Sequence, residues 1–196
     1  MTIDFMIMPF SRYLSGDFIT PAMTQAWQQG VPYAILGSRG TRAIERGEAF
    51  GGVDASTRRQ RMIPMLVDEL KLLPSPIPEQ LWDEASTADP RFHRVDADSY
   101  AALCEEAQGG ARGELSSLLK TPERGSHVTA TVFLPCDIAA PFGMPVIFER
   151  TVGSVTAALH SLQTDQWSRA ATRARDTLIA ALMDAEALHL PAFVDR

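Results

Sequence analysis

Residues 83–106 contain the side chains of this chain that are best suited to chemistry. The stretch places seven carboxylates around one histidine, His93, and two arginines, Arg91 and Arg94. A histidine among carboxylates can bind a metal ion, act as a general acid or base, or lie on an acidic surface that binds a basic partner. The three alternatives make different demands on spacing and on neighbouring charge.

A metal site at His93 would take its oxygen ligands from Asp89, Asp96 or Asp98. The stretch has no second histidine four residues away and no cysteine pair, and its two arginines would repel a cation. We therefore expect no metal ion and no cofactor. General acid–base chemistry at His93 stays open, beside a solvated acidic face whose aspartates cap helices and an acidic docking surface.

The docking interpretation assigns partner binding to one aromatic residue and five carboxylates. An exposed tryptophan inside an acidic patch is typical of a binding hot spot, and Trp82 directly precedes Asp83. A place in the hydrophobic core is an equal alternative for Trp82. The predicted partner-binding residues are Trp82, Asp83, Glu84, Asp89, Asp96 and Asp98.

The net charge of −6 is concentrated in the same region. Residues 79–106 hold eight Asp or Glu and two Arg and so carry −6, while residues 1–78 carry +1 and residues 107–196 carry −1. A negative field disfavours nucleic acid and attracts basic partners. The three arginines of residues 56–61 are predicted to pair with this acidic segment, and contact with an anion is the alternative.

Other reactive side chains have simpler structural interpretations. Cys136 follows a strand-like segment without a nucleophile elbow, and Cys104 fits the core face of a helix. The glycine-containing stretch 36–47 has neither the lysine nor the spacing of a phosphate-binding loop. The remaining catalytic alternative is a small cytosolic hydrolase that uses His93 or His127 with nearby carboxylates.

The composition indicates a globular cytosolic protein, with 45% hydrophobic and 21% charged residues. The N-terminus carries the acidic Asp4 and no basic region, and Pro9 interrupts its apolar run, so it is predicted to be a strand and not a signal peptide. No stretch approaches the roughly 20 apolar residues of a membrane span. Two cysteines cannot build a disulfide framework. We expect a cytoplasmic location without membrane contact.

The elements that would position these residues follow from apolar periodicity and from capping residues. A strand at 2–10 precedes a helix at 20–30, for which Thr20 is the N-cap and Gly30 the end. A strand at 31–38 is followed by a short helix within 39–50 and by a longer helix at 57–73. Pro64 must kink or split that longer helix unless it lies in the first turn. The prolines of residues 72–78 predict a linker.

Short helices at 79–86, 98–108 and 113–120 would make residues 79–120 an acidic helical subregion. β-branched and aromatic residues predict strands at 127–138 and 144–152, joined as a hairpin.

A helix at 154–163 precedes the strongest helix, 164–190, and residues 192–196 add a last strand. The order of elements predicts an α+β fold in one domain over residues 1–196. Its small, mostly antiparallel sheet would pack against helices that include a long amphipathic C-terminal helix.

Three stretches carry a resemblance to known proteins: the opening IMPFSRYLSGDFITPAMTQAW, the strand pair around VFLPCDIAAPFGMPVIFE, and the helix end AEALHLPAFVD. In these the chain resembles small cytosolic immunity proteins of bacterial polymorphic-toxin and type VI secretion systems. The resemblance implies a non-catalytic protein that binds a cognate toxin and occludes its active site. A toxin with a basic cleft, such as a nuclease, would complement the acidic residues. A regulatory module of a larger complex would differ only in its partner.

Overall fold

The computed structural model describes residues 1–37, 40–71, 82–109, 126–144 and 150–195. The chain divides by its contacts into two compact units. The first unit comprises Met1–Met8, Leu73–Trp82 and Arg91–Arg196, and the second comprises Pro9–Leu72 and Asp83–Pro90. The prediction of one domain over residues 1–196 stays a prediction beside this division.

The elements confirm the predicted α+β fold. In chain order they are β1 (Thr2–Ile7), α1 (Phe10–Ser15), α2 (Pro21–Gln28), β2 (Tyr33–Gly37), β3 (Gly40–Ile44), α3 (Ala55–Lys71), β4 (Arg91–Asp96), α4 (Ala97–Ala107), β5 (Val132–Leu134), β6 (Phe142–Met144), β7 (Arg150–Ser154), α5 (Val155–Thr164), α6 (Arg169–Leu188) and β8 (Ala192–Asp195). A 3-10 turn, His127–Thr129, precedes β5.

A six-stranded mixed sheet forms the centre of the first unit, in the spatial order β4, β1, β8, β5, β7, β6. The buried, apolar β1 lies between two antiparallel neighbours, with Phe5 opposite His93 on β4 and Val194 on β8. β5 runs parallel to β7, and the other pairs of this sheet are antiparallel. The prediction of a mostly antiparallel sheet is therefore confirmed.

Helix α6 packs against α4, α5 and the β4–β1 side of the sheet. Small and aliphatic residues recur along it at steps of three and four, so one stripe of the helix is apolar. The buried residues of this stripe are Ala171, Ala174, Leu178, Ala181, Leu182 and Ala185. The prediction of a long amphipathic C-terminal helix is confirmed. This helix packs against β4, the strand that carries His93.

The second unit contains α1, α2, α3 and the two-stranded ribbon β2–β3. Thr20 caps α2 by accepting a hydrogen bond from the Met23 amide, as the sequence predicts. Helix α3 packs against α1 and buries Leu66 and Leu70. It runs through Pro64 as one helix, so the proline does not split it.

Two helices predicted before β4 are wrong. Residues 40–44 within the expected helix 39–50 form β3, which pairs with β2 from Tyr33↔Ile44 to Gly37↔Gly40. Residues 82–86 within the expected helix 79–86 are not helical, because Asp83 accepts a hydrogen bond from the Ala85 amide and forms a local turn. Short polar side chains at such positions compete with helix hydrogen bonds.

The acidic subregion 79–120 is therefore not helical throughout. Residues 91–96 form the edge strand β4, whose charged side chains suit an edge. Residues 97–107 form the helix predicted at 98–108. The linker at 72–78 and the helix at 113–120 lie outside the described residues.

The expected hairpin of strands 127–138 and 144–152 is also wrong. Val132–Leu134 and Arg150–Ser154 pair in parallel, with Val132 opposite Val152. The antiparallel partner of β7 is instead β6. A parallel pair needs a crossover connection, which strand-forming composition alone does not reveal.

Candidate functional site

The predicted partner-binding residues divide into three levels of exposure. Asp83, Asp89 and Asp98 are exposed, and Asp96 is half-buried. Trp82 is only 5% exposed and Glu84 only 2%. The prediction that Trp82 is exposed is therefore wrong, and the alternative, a place in the interior, is correct. Three aspartates remain fully available to a partner.

Glu84 is buried because its carboxylate serves the first turn of α1. The residue before this helix, Pro9, makes no side-chain capping bond. The two Glu84 oxygens instead accept hydrogen bonds from the Phe10 amide at 3.1 Å and the Ser11 amide at 2.7 Å. The amides of a first helical turn have no partner within the helix, and a carboxylate there also suits the helix dipole.

Two arginines fix the main chain around Glu84. Arg59, from α3, donates from Nη2 to the carbonyls of Glu84 at 3.2 Å and Ser86 at 2.6 Å. Arg12, from α1, donates from Nη1 to the Ala88 carbonyl at 2.6 Å. Three alternate carbonyls of the segment are thus bound by guanidinium groups, which present several donors in a fixed plane.

Arg59 is itself held in place, although it is only 5% exposed. Its Nη1 lies 3.4 Å from Asp17 Oδ2, and its Nε donates to the Ser11 hydroxyl at 3.4 Å. Burial and the charge of Arg59 lower the pKa of Arg12. The cluster of Arg12, Asp17, Arg59 and Glu84 is a polar interior of the second unit. Its hydrogen bonds offset the cost of burying charge.

The arginines of residues 56–61 are predicted to pair with the acidic segment. Arg59 contacts that segment through main-chain carbonyls, while its ion pair is with Asp17, outside the segment. Its neighbour Arg58 donates to the carbonyls of Ser15 and Gly51. The sequence contained one signal of this arrangement: Arg59 lies on the same helical stripe as Leu66 and Leu70. A charged residue on a buried stripe indicates a buried polar contact.

The 83–90 segment shows alternating exposure as a result. Glu84 is buried and Ser86, Ala88 and Pro90 are half-buried, whereas the odd-numbered residues are exposed. The exposed side chains are Asp83, Ala85, Thr87 and Asp89. The alternation is not that of a strand, because the Ser86 amide donates to the Asp83 carbonyl at 3.1 Å and closes a turn. The segment therefore exposes two acids and two small side chains.

Asp96 and Asp98 belong to the first unit, at the start of α4. Asp96 is the N-cap and accepts hydrogen bonds from the Ser99 amide at 2.8 Å and hydroxyl at 3.0 Å. These bonds lower the pKa of Asp96, with a smaller contribution from Arg173. Asp98 lies in the first turn and is exposed. The interpretation of these aspartates as helix-capping residues is correct for Asp96.

His93 does not bond to any of the aspartates predicted for it. Its Nε2 lies 2.8 Å from Asp184 Oδ2, and the two side chains are 23% and 42% exposed. β4 places His93 beside α6, from which Asp184 projects. Such a pair can orient the imidazole for acid–base work or simply join a strand to a helix.

Within the described residues no group of three or more His, Cys, Asp and Glu is placed to bind a metal ion.

His127 and Cys136 have structural surroundings. His127 Nδ1 accepts the Ser154 amide at 3.0 Å, and the ring also bonds to the main chain of Ala139. Burial lowers the pKa of His127, which favours the neutral ring. Burial also raises the pKa of the Cys136 thiol to about 11. A thiol with this pKa is a poor nucleophile near neutral pH.

Comparison with known proteins places no constraint on this site, because no family model, curated protein sequence or solved structure matches the chain. Among the described helices, none combines the length and apolar character that crossing a bilayer requires.

Proposed function

We propose that this chain is a non-catalytic immunity or inhibitor protein that binds a cognate bacterial toxin effector and neutralises it. An acidic surface of this chain occludes the active site of the toxin, which carries a basic cleft. The proposal places the protein in the bacterial cytoplasm, beside a polymorphic-toxin or type VI secretion system. It follows the resemblance of the sequence to such immunity proteins.

The observation that carries the proposal is the exposure of Asp83, Asp89 and Asp98 in the region that holds the whole net charge. Exposed carboxylates attract a basic protein over several ångströms and raise the rate of association. Asp83 accepts a hydrogen bond from the Ala85 amide and is still exposed, as Asp89 and Asp98 are. Trp82 and Glu84 are buried, so they are withdrawn from direct contact with a partner.

The experiment begins with recovery of the partner. The tagged protein is purified from its native host, and each co-purifying protein is expressed alone and together with this chain in a test bacterium. The proposal expects one basic protein that stops growth alone and permits growth in the presence of this chain. Co-purifying proteins that are harmless alone, or whose toxicity this chain leaves intact, would contradict it.

Charge reversal then tests the surface. Asp83→Lys combined with Asp89→Lys, and separately Asp98→Lys, should weaken binding of the recovered toxin by about tenfold or more at low salt. Glu186→Lys on the exposed face of α6 is the matched control for Asp98→Lys, because it makes the same charge change elsewhere. Equal effects of all three variants would indicate general attraction of charge and would remove the surface assignment.

A small hydrolase is the second candidate, and the bond between His93 and Asp184 is the observation that favours it. Hydrolysis of p-nitrophenyl acetate and of bis-p-nitrophenyl phosphate would be measured for the wild type, His93→Gln and Asp184→Asn. Turnover that both substitutions remove, while the fold persists, would establish the hydrolase. Rates equal to those without protein count against it for these two ester classes.

A further inference from the structure

We draw no further inference here: the strongest candidate, the part-buried pair of His93 on β4 and Asp184 on α6, belongs to the site already described, where it carries the hydrolase alternative.

Discussion

At the scale of single residues, Glu84 shows how a carboxylate in an acidic segment can serve the fold and not the surface. Its side chain caps α1, while its carbonyl accepts from Ser11 and Arg59. Removing it leaves two amides of a helix start without their partner. A buried, charged hydrogen-bonding group is costly to remove because the donors it leaves behind stay desolvated.

Glu84→Ala should lower the free energy of unfolding by about 3 kcal/mol, since each hydrogen bond to a charged group contributes about 1.5–3 kcal/mol. Urea denaturation followed by circular dichroism measures this. Thr87→Ala, in the same segment but exposed, is the control and should be nearly neutral. Equal stability of the two variants would show that the cap has no energetic role.

Two glycines of the second unit meet at their backbones. Gly16 ends α1 with φ +70°, and a Cβ on it would lie 2.6 Å from Gly51 Cα. Gly30 has nearly the same φ, +69°, but nothing lies within 4 Å of a Cβ placed there. Comparison of Gly16 with Gly30 therefore separates the cost of a left-handed backbone from the cost of a steric clash.

Gly30→Ala should therefore cost about 1 kcal/mol, from backbone strain alone. Gly16→Ala should cost about 3 kcal/mol or more, because the clash with a backbone atom is added to that strain. Thermal unfolding of both variants measures the difference. Similar melting temperatures would mean that the contact between Gly16 and Gly51 relaxes without cost.

At the scale of elements, two carboxylates accept hydrogen bonds at the starts of two helices in the first unit. Asp96 caps α4, and Glu106, near the end of α4, accepts from the amide and hydroxyl of Ser168 at the start of α6. The hydrogen bonds from Ser168 lower the pKa of Glu106, and those from Ser99 lower the pKa of Asp96. The charged form of each carboxylate therefore stabilises the folded state.

The sign of the pH dependence follows from these lowered pKa values. Their stabilisation is complete above the ordinary values of 4.5 for Glu106 and 3.8 for Asp96, and it is lost as the pH falls through the lower folded values. Urea midpoints between pH 6 and pH 3 should fall less steeply for Glu106→Gln than for the wild type. Glu186→Gln, on the exposed face of α6, is the control. Identical profiles for Glu106→Gln and the wild type would contradict the linkage.

Elements with strong local signals were predictable from the sequence. α2 has a capping threonine and an initial proline, and α6 has a long apolar stripe, so both follow from residues close in sequence. β4 depends on a distant partner, whereas β3 pairs with β2, the strand directly before it. Arg91–Asp96 is polar enough to resemble a loop, and only its pairing with β1 makes it a strand.

The candidate site was predictable only in part, for the same reason. Exposure of Asp83, Asp89 and Asp98 agrees with their acidic, polar neighbourhood. Burial of Glu84 depends on α1, which lies 73 or 74 residues earlier in the chain. The bond between His93 and Asp184 spans 91 residues. No local pattern contains such distances, so composition could locate the region but not the role of each side chain.

At the scale of the whole molecule, the net charge of −6 lies in residues 79–106, while the rest of the chain is nearly neutral. Within the described part, several of these charges are balanced where they lie. Asp4 pairs with Arg94, Arg173 lies 3.5 Å from Asp96, and Glu84 is buried. Among the described carboxylates of this segment, the exposed ones are Asp83, Asp89, Asp98 and Glu105.

This distribution predicts the salt dependence of binding. Exposed carboxylates act mainly on the association rate, and salt screens them within about 10 Å at 0.1 M. Association with the recovered toxin should slow as salt rises, and the slowing should be smaller for the Asp83→Lys and Asp89→Lys double variant. Stopped-flow fluorescence at several salt concentrations measures both. Equal slopes for the wild type and the variant would place the steering charge elsewhere.

The most direct test of the central claim is a titration of the recovered toxin with this protein while the activity of the toxin is measured. Occlusion of the active site predicts that activity falls linearly and vanishes at one equivalent of this chain, with Glu186→Lys behaving as the wild type. Activity that persists at several equivalents, in a complex shown to be intact, would contradict neutralisation by occlusion.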